Sequence, residues 1–260
     1  MNKKNSLFPS ERQQQILEIL SDKLTIRGSS LSELLDVSEM TIRRDLDALE
    51  SQGVVERTHG GAVFRQERLT GKFHYDHSIL ENPMEKRRIA ACASKMIEPN
   101  DMVYIGEGYT AAQVIRHVDP HVQFTIFSNN LGVTAEMENK SAELIMLPGS
   151  YDPATNALAG PLTMEMIRQV NATKVFLGAD GLSLSLGLTT TNLEIAVIER
   201  NMIQHTRGKV IVMADHSKFG LVAEMSVVPL KQIDVLITNR KIPEDFQKNL
   251  DRMGIQMVIA

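Results

Sequence analysis

A single cysteine, Cys92, is all the thiol chemistry this chain of 260 residues has, and that excludes an internal disulfide. Its neighbours Ile89, Ala90, Ala91 and Ala93 are the surroundings of a buried helix position, not of a reactive thiol. Long apolar runs are missing too. No stretch of roughly 18 apolar residues occurs, and the opening MNKKNSLFPSERQQ lacks the apolar centre of a signal peptide. The expectation is a cytoplasmic protein with no membrane partner. Nor is positive charge in excess: the net charge is -4, and residues 1–70 hold 10 Lys and Arg against 11 Asp and Glu. Overall charge therefore gives no support to nucleic-acid binding, which has to be argued from pattern, since only one face sets the local potential.

Signatures of metal and nucleophile chemistry are lacking as well. His117 and His121 have helical spacing, but Asp119-Pro120 between them breaks the helix that would align them. His74 and His77 have no third ligand nearby, and no Gly-x-Ser-x-Gly elbow is present. No metal, no cofactor and no catalytic residue are predicted.

What the chain does have is an ordinary globular composition, 43% apolar and 23% charged, and a change of rhythm near residue 65. Before it, apolar residues recur at helical spacing in Glu11–Ser21, Ser30–Leu35 and Ser38–Ser51. Ser38 is placed to cap the third helix, and Gln52-Gly53 to end it. Val54 to Phe64 reads as two short strands around His59-Gly60-Gly61. Three helices and a hairpin are the order of a winged helix-turn-helix. On its third helix Ile42, Leu46 and Leu49 share the inward face. Ser38, Met40, Thr41, Arg43 and Arg44 fall at the N-terminal end or outside, where base edges and phosphates are met. Arg57, His59 and Gly60 in the wing, with Arg65 and Arg68 beyond, make a second phosphate-facing element. Val37-Ser38-Glu39-Met40-Thr41-Ile42-Arg43-Arg44-Asp45-Leu46 together with Arg57-Thr58-His59-Gly60-Gly61-Ala62 resembles the DNA-binding signature of the DeoR family of transcriptional regulators.

From residue 85 short apolar strands alternate with helical stretches: Met102–Ile105, Phe124–Phe127, Glu143–Leu147, Lys174–Leu177, Lys209–Met213, Asp234–Thr238 and Gln256–Ile259. Such alternation predicts an α/β domain with a mainly parallel sheet covered on both faces, and ligands of such sheets collect at the carboxyl ends of the strands. Those ends carry Gly106, Gly108, Tyr109 and Thr110, then Ser128 and Asn129, Gly149, Asp180 and Gly181, and Lys218. Backbone N–H groups, small polar side chains and one lysine suit an anionic polyhydroxy ligand. On that reading Lys218 carries a phosphate, Asp180 and Asn129 face sugar hydroxyls, and Tyr109 narrows the pocket.

The resemblance continues through Ser128-Asn129, Ala159-Gly160, Phe176 to Gly181, Gly187-Leu188-Thr189 on to Glu194, and Asp215-x-Ser217-Lys218-Phe219-Gly220. It implies a fold similar to ribose-5-phosphate isomerase, a sugar-phosphate effector, and repression of a carbohydrate operon. Where the family has Asp-x-Gly-Thr-Thr, this chain has Gly106-Glu107-Gly108-Tyr109-Thr110, which puts the effector's identity in question. The expected organisation is a DNA-binding domain over 1–64, a linker over 65–84 and an effector domain over 85–260. Double-stranded operator DNA and a phosphorylated sugar are the expected partners. A lone winged helix touches little DNA, so a homo-oligomer, at least a dimer, is expected.

Two enzyme readings compete with the regulator. Gly106-x-Gly108-x-x-Ala111 matches the core of a dinucleotide fingerprint, but the next strand ends in Phe127-Ser128-Asn129-Asn130 and not in the acid that a ribose needs. A sugar-phosphate isomerase using Asp180, Glu194 and Lys218 to move protons is the other. A fused DNA-binding domain favours sensing over turnover.

Overall fold

The computed structural model describes residues 12–13, 15–16, 19, 25–51, 55–58, 60–64, 82–239 and 242–260. The chain divides into two compact units, Met1–Thr70 and Gly71–Ala260. In the first, Arg12, Gln13, Gln15, Ile16 and Ile19 are helical, followed by β1 (Thr25–Arg27), α1 (Gly28–Leu34), α2 (Glu39–Ser51), β2 (Val55–Thr58) and β3 (Gly61–Phe64). The core joins Ile42, Leu46 and Leu49 of α2 to Ile16, Ile26, Leu31, Val55 and Ala62, as helical spacing requires. Between α1 and α2 the chain turns through Asp36 with φ 48°, and the Ser32 hydroxyl donates to the Val37 carbonyl at 2.7 Å. Ser38 caps α2, its Oγ accepting from the Thr41 N–H at 3.2 Å. The strands form one antiparallel sheet in the order β1-β3-β2, with Thr58 opposite Gly61. A side chain at Gly61 would collide with the Ile26 carbonyl of β1, so glycine is required where the wing is pinned to β1. The sequence reading had no β1, and its helix end at Gln52-Gly53 lies outside the described residues.

The second unit is an α/β domain. It contains α3 (Pro83–Ser94), β4 (Met102–Ile105), α4 (Tyr109–His117), β5 (Thr125–Ser128), α5 (Gly132–Ala135), β6 (Glu143–Met146), β7 (Ser150–Asp152), β8 (Ala157–Ala159) and α6 (Pro161–Gln169). It continues with β9 (Ala172–Leu177), β10 (Gly181–Ser183), β11 (Gly187–Thr190), α7 (Leu193–Gln204), β12 (Thr206–Met213), β13 (Met225–Val228), β14 (Val235–Thr238), α8 (Glu244–Met253) and β15 (Gln256–Ile259). Seven strands form the central sheet in the order β15-β14-β12-β9-β4-β5-β6, and every pairing in it is parallel. These are the seven strands that the alternation predicts. Side chains alternate between two cores, as a sheet of period two must. Val103, Ile105, Ile126, Phe176 and Ile211 pack on one face with Ile89 and Ala93 of α3 and Val114 and Ile115 of α4. Tyr104, Phe127, Val175, Leu177 and Val212 pack on the other with Ile167 of α6, Met202 of α7 and Phe246 of α8.

Beside the main sheet stand the hairpin β7-β8 and a small antiparallel sheet β10-β11-β13, which the sequence reading lacks. Cys92 is a free, half-buried thiol on α3, and α4 ends at His117. No helix among the described residues is long and apolar enough to cross a membrane.

Candidate functional site

In the first unit, burial of Ile42, Leu46 and Leu49 turns the other side of α2 outward. Arg43, Arg44 and Ser38 are exposed, Thr41 is half-buried, and Met40 is 62% exposed. Ser38 Oγ and Thr41 Oγ1 lie 2.8 Å apart, so two of the five residues proposed to meet DNA hold each other. The inward-facing Asp45 is gripped by Arg12. Arg57 departs from expectation: its guanidinium pairs with Asp47 of α2, and its N–H donates to Glu50 Oε1 at 3.1 Å. The wing arginine thus ties β2 to α2 before any phosphate arrives. Gly60 is exposed at the wing tip, where its carbonyl accepts from the Gly28 N–H at 2.8 Å. His59, Arg65, Arg68, His74 and His77 lie outside the described residues.

In the second unit, the order in which successive strands are laid down reverses between β4 and β9, with all strands remaining parallel. Strands β5 and β6 extend to one side of β4, and β9, β12, β14 and β15 to the other. A cavity of about 200 Å³ opens at the carboxyl ends of the neighbouring β4, β9 and β12, the place where a reversal leaves adjacent loops diverging. Of the predicted residues, Gly108, Tyr109, Thr110, Asp180 and Lys218 line it. Tyr109 is 7% exposed, and its hydroxyl accepts from Arg87 Nε at 3.5 Å. Gly108, with φ 96°, precedes α4 without a side-chain cap, so no side chain satisfies the first N–H groups of that helix. Asp180 Oδ2 accepts from Thr190 Oγ1 at 2.8 Å and from the Thr191 N–H at 3.0 Å.

The other predicted residues do not line the cavity. Ser128 and Asn129 end β5, on the far side of β4, and are buried. Ser128 Oγ donates to the Ile105 carbonyl at 2.7 Å and Asn129 Nδ2 to the Leu158 carbonyl at 3.0 Å. Their neighbour Asn130 donates to the carbonyls of Gly106 and Gly108 at 3.1 and 2.9 Å, holding the loop after β4 from behind. Gly149 sits against the Ala159 backbone, Gly181 against the Leu221 carbonyl and Thr189, and Gly106 against Leu177. These glycines permit close packing. Glu194 is exposed on the first turn of α7; the acid that α7 sends to the cavity is Glu199, five residues on.

Glu107, Glu199, Lys86, Asp215 and the run Thr189 to Asn192 also line it. Lys218 is therefore not the only cation there, because Lys86 of α3 joins it. Glu107 is half-buried as a residue, yet its carboxyl is withdrawn from water, and burial together with the charges of Asp180 and Asp152 pushes its pKa up to about 8. Burial, then Glu107 and Asp180, holds Glu199 well above the usual carboxylate range.

Comparison with known proteins covers both units. The profile described as a DeoR-like helix-turn-helix domain matches residues 12–68, and the one described as a DeoR C terminal sensor domain matches residues 81–240. The chain is 30% identical over 257 residues to the HTH-type transcriptional regulator GolR of Listeria innocua, covering 98% of this chain and 100% of that one. It is 29% identical to the HTH-type transcriptional repressor GlcR of Bacillus subtilis, over 98% and 97% of the two chains. Among solved structures, a ribose 5-phosphate isomerase A from Methanocaldococcus jannaschii overlaps 53% of this chain and 55% of its own, with a TM-score of 0.40 at 17% identity.

Proposed function

We propose, from the premise that this chain belongs to the DeoR family of DNA-binding transcriptional regulators, that it represses a carbohydrate operon under the control of a phosphorylated sugar. In this reading residues 1–64 bind operator DNA through Ser38, Met40, Thr41, Arg43, Arg44 and the wing tip, residues 65–84 link, and residues 85–260 hold the effector. A cytoplasmic homo-oligomer, at least a dimer, presents two winged helices to paired half-sites. Relatives over almost the full length are named as regulators, which favours sensing over turnover.

The observation that carries the effector reading is the cavity at the β4/β9 reversal, into which Lys86, Lys218 and the uncapped start of α4 open. A phosphate dianion removed from water needs cations and backbone donors together, and those three supply both. At about 200 Å³ the cavity is smaller than the roughly 300–1,000 Å³ of pockets for drug-sized ligands. That suits a ligand the size of a sugar phosphate. Effector binding shifts DNA affinity only by its differential affinity for the two conformations, so a regulatory factor of about 5–150 is the expected scale.

Calorimetry on the full chain tests this with hexose and pentose phosphates beside their unphosphorylated parents. The phosphates should bind at least tenfold tighter, and Lys218→Ala should remove that advantage while thermal unfolding stays cooperative. Equal binding of phosphorylated and free sugars would overturn the assignment.

A further inference from the structure

The cavity holds more carboxyl groups than cations, with Glu107, Asp180, Glu199 and Asp215 beside Lys86 and Lys218. Protein donors answer part of that charge. Asp180 is held by Thr190 and Thr191. Asp215 Oδ1 accepts from the Ser217 N–H at 2.9 Å, Ser217 Oγ at 2.6 Å and Asn82 Nδ2 at 3.1 Å. Glu199 has no such answer. It is 4% exposed, it lines the cavity, and neither it nor Glu107 has a hydrogen-bond or ion-pair partner among the described residues. Asp215 Oδ2, also buried on the cavity wall, has no partner either.

Position explains why Glu199 fits there. A Cβ at Gly106 would lie 3.6 Å from Glu199 Oε1, so the carboxyl rests over the bare backbone at the end of β4. The charges acting on Glu199 are those of Glu107 and Asp180, and those acting on Glu107 are Asp180 and Asp152. Glu107 follows β4 and Glu199 stands on α7, whereas Lys218 follows β12. Mutually repelling buried carboxyls are satisfied only by protons or by an incoming cation. No group of three or more His, Cys, Asp or Glu side chains among the described residues is placed to hold a metal ion, and the pair Glu107 and Glu199 suits an organic cation instead. An ammonium group brings one positive charge and three donors, whereas a sugar hydroxyl in the same place brings no charge.

We infer that the effector is an amino sugar phosphate, with its phosphate at Lys218 and its protonated amine between Glu199 and Glu107. This rests on the phosphorylated-sugar reading above and adds the chemistry of the opposite end of the ligand.

Matched probes separate the two claims: glucosamine 6-phosphate against glucose 6-phosphate, mannosamine 6-phosphate against mannose 6-phosphate, and unphosphorylated glucosamine and glucose, titrated calorimetrically into the full chain. In at least one pair the amino sugar phosphate should bind at least tenfold tighter than its hydroxy partner. In E199Q and in E107Q that ratio should fall toward one. Equal affinity within both pairs overturns the amine assignment alone and leaves the phosphate site standing, as does a ratio that survives both substitutions. If no phosphate binds better than glucosamine or glucose, the phosphate reading fails, and this inference fails with it. The native-protein ratios decide the matter even where one variant fails to fold.

Discussion

Arg12 clasps Asp45 with two hydrogen bonds, 2.5 Å from Nε to Oδ2 and 3.2 Å from Nη2 to Oδ1, and the two side chains are only 10% and 4% exposed. The pair anchors α2 from its inner face to a helical residue 33 positions earlier, and so fixes the face that α2 turns outward. Breaking a buried ion pair strands the surviving charge. Asp45→Ala should therefore destabilise the first unit by on the order of 3 kcal/mol, read as a lower urea midpoint. Replacing both partners, as Arg12→Met with Asp45→Leu, should recover most of the loss. A double variant as unstable as the single would show that the pair does more than satisfy its own charges.

The exposed arginines and the wing arginine should behave differently toward DNA. Arg43 and Arg44 are exposed on α2, and alanine at either should weaken operator binding by about 1–3 kcal/mol if it reads a base edge. If it meets a phosphate, the salt slope should fall by about 0.9. Arg57 is already engaged by Asp47, so Arg57→Ala should cost less than either. Asp47→Ala, which removes an exposed negative charge and releases Arg57, should tighten binding to unrelated DNA. Fluorescence anisotropy across a salt series compares all four.

A pH dependence follows from Glu107. Its folded pKa of about 8 stands above the ordinary carboxylate value of 4.5, so between those values the folded chain binds more protons than the unfolded one. Stability from this group is fully present below pH 4.5 and is lost as pH rises through about 8. The slope should stay below the one-proton limit of about 1.4 kcal/mol per pH unit, because the residue is only half-buried. Glu107→Gln removes the titration. The stability difference between that variant and the native chain, from chemical denaturation at pH 6 and pH 8.5, should grow in the variant's favour at the higher pH. A difference that does not change with pH would count against a withdrawn Glu107 carboxyl.

The central sheet was legible because its strands are apolar, separated by helices and buried on both faces, so hydrophobic runs mark them directly. The hairpin β7-β8 and the sheet β10-β11-β13 were not, since their strands have three or four residues and carry Ser, Thr, Asp and Gly among the apolar positions. Of the residues that strand ends suggest, Gly108, Tyr109, Thr110, Asp180 and Lys218 line the cavity and Ser128 and Asn129 do not, because strand order separates β5 from the cavity and order cannot be read from spacing. Lys86 and Glu199 line the same cavity from helices, which a reading of strand ends does not cover. Both left a signal. Lys86 shares the inward stripe of α3 with Ile89, Ala90 and Ala93, and Glu199 that of α7 with Ile195, Ala196 and Met202, and a charge on an apolar stripe is the pattern to look for.

Two glycines at strand ends divide by what a methyl group would meet. At Gly106 the nearest atom to an added Cβ is Leu177 Cδ2 at 2.6 Å, the far end of a flexible side chain that can move aside. At Gly149 the neighbours are the Ala159 carbonyl at 2.6 Å and N–H nitrogen at 2.8 Å, with Thr163 Oγ1 at 2.6 Å. The backbone atoms there belong to β8 beside the start of α6, and Thr163 Oγ1 is held by the Pro148 carbonyl at 2.6 Å. Overpacking that forces backbone to shift costs about 1–3 kcal/mol or more. Gly149→Ala should therefore lower the melting temperature of the second unit markedly, whereas Gly106→Ala should lower it less and act chiefly by displacing Leu177 and crowding Glu199. The same pair tests the role of Gly149. If this glycine serves packing and not the ligand, whatever fraction of Gly149→Ala protein remains folded should bind the phosphorylated sugar with native affinity. Loss of that affinity without loss of stability would return Gly149 to the effector site.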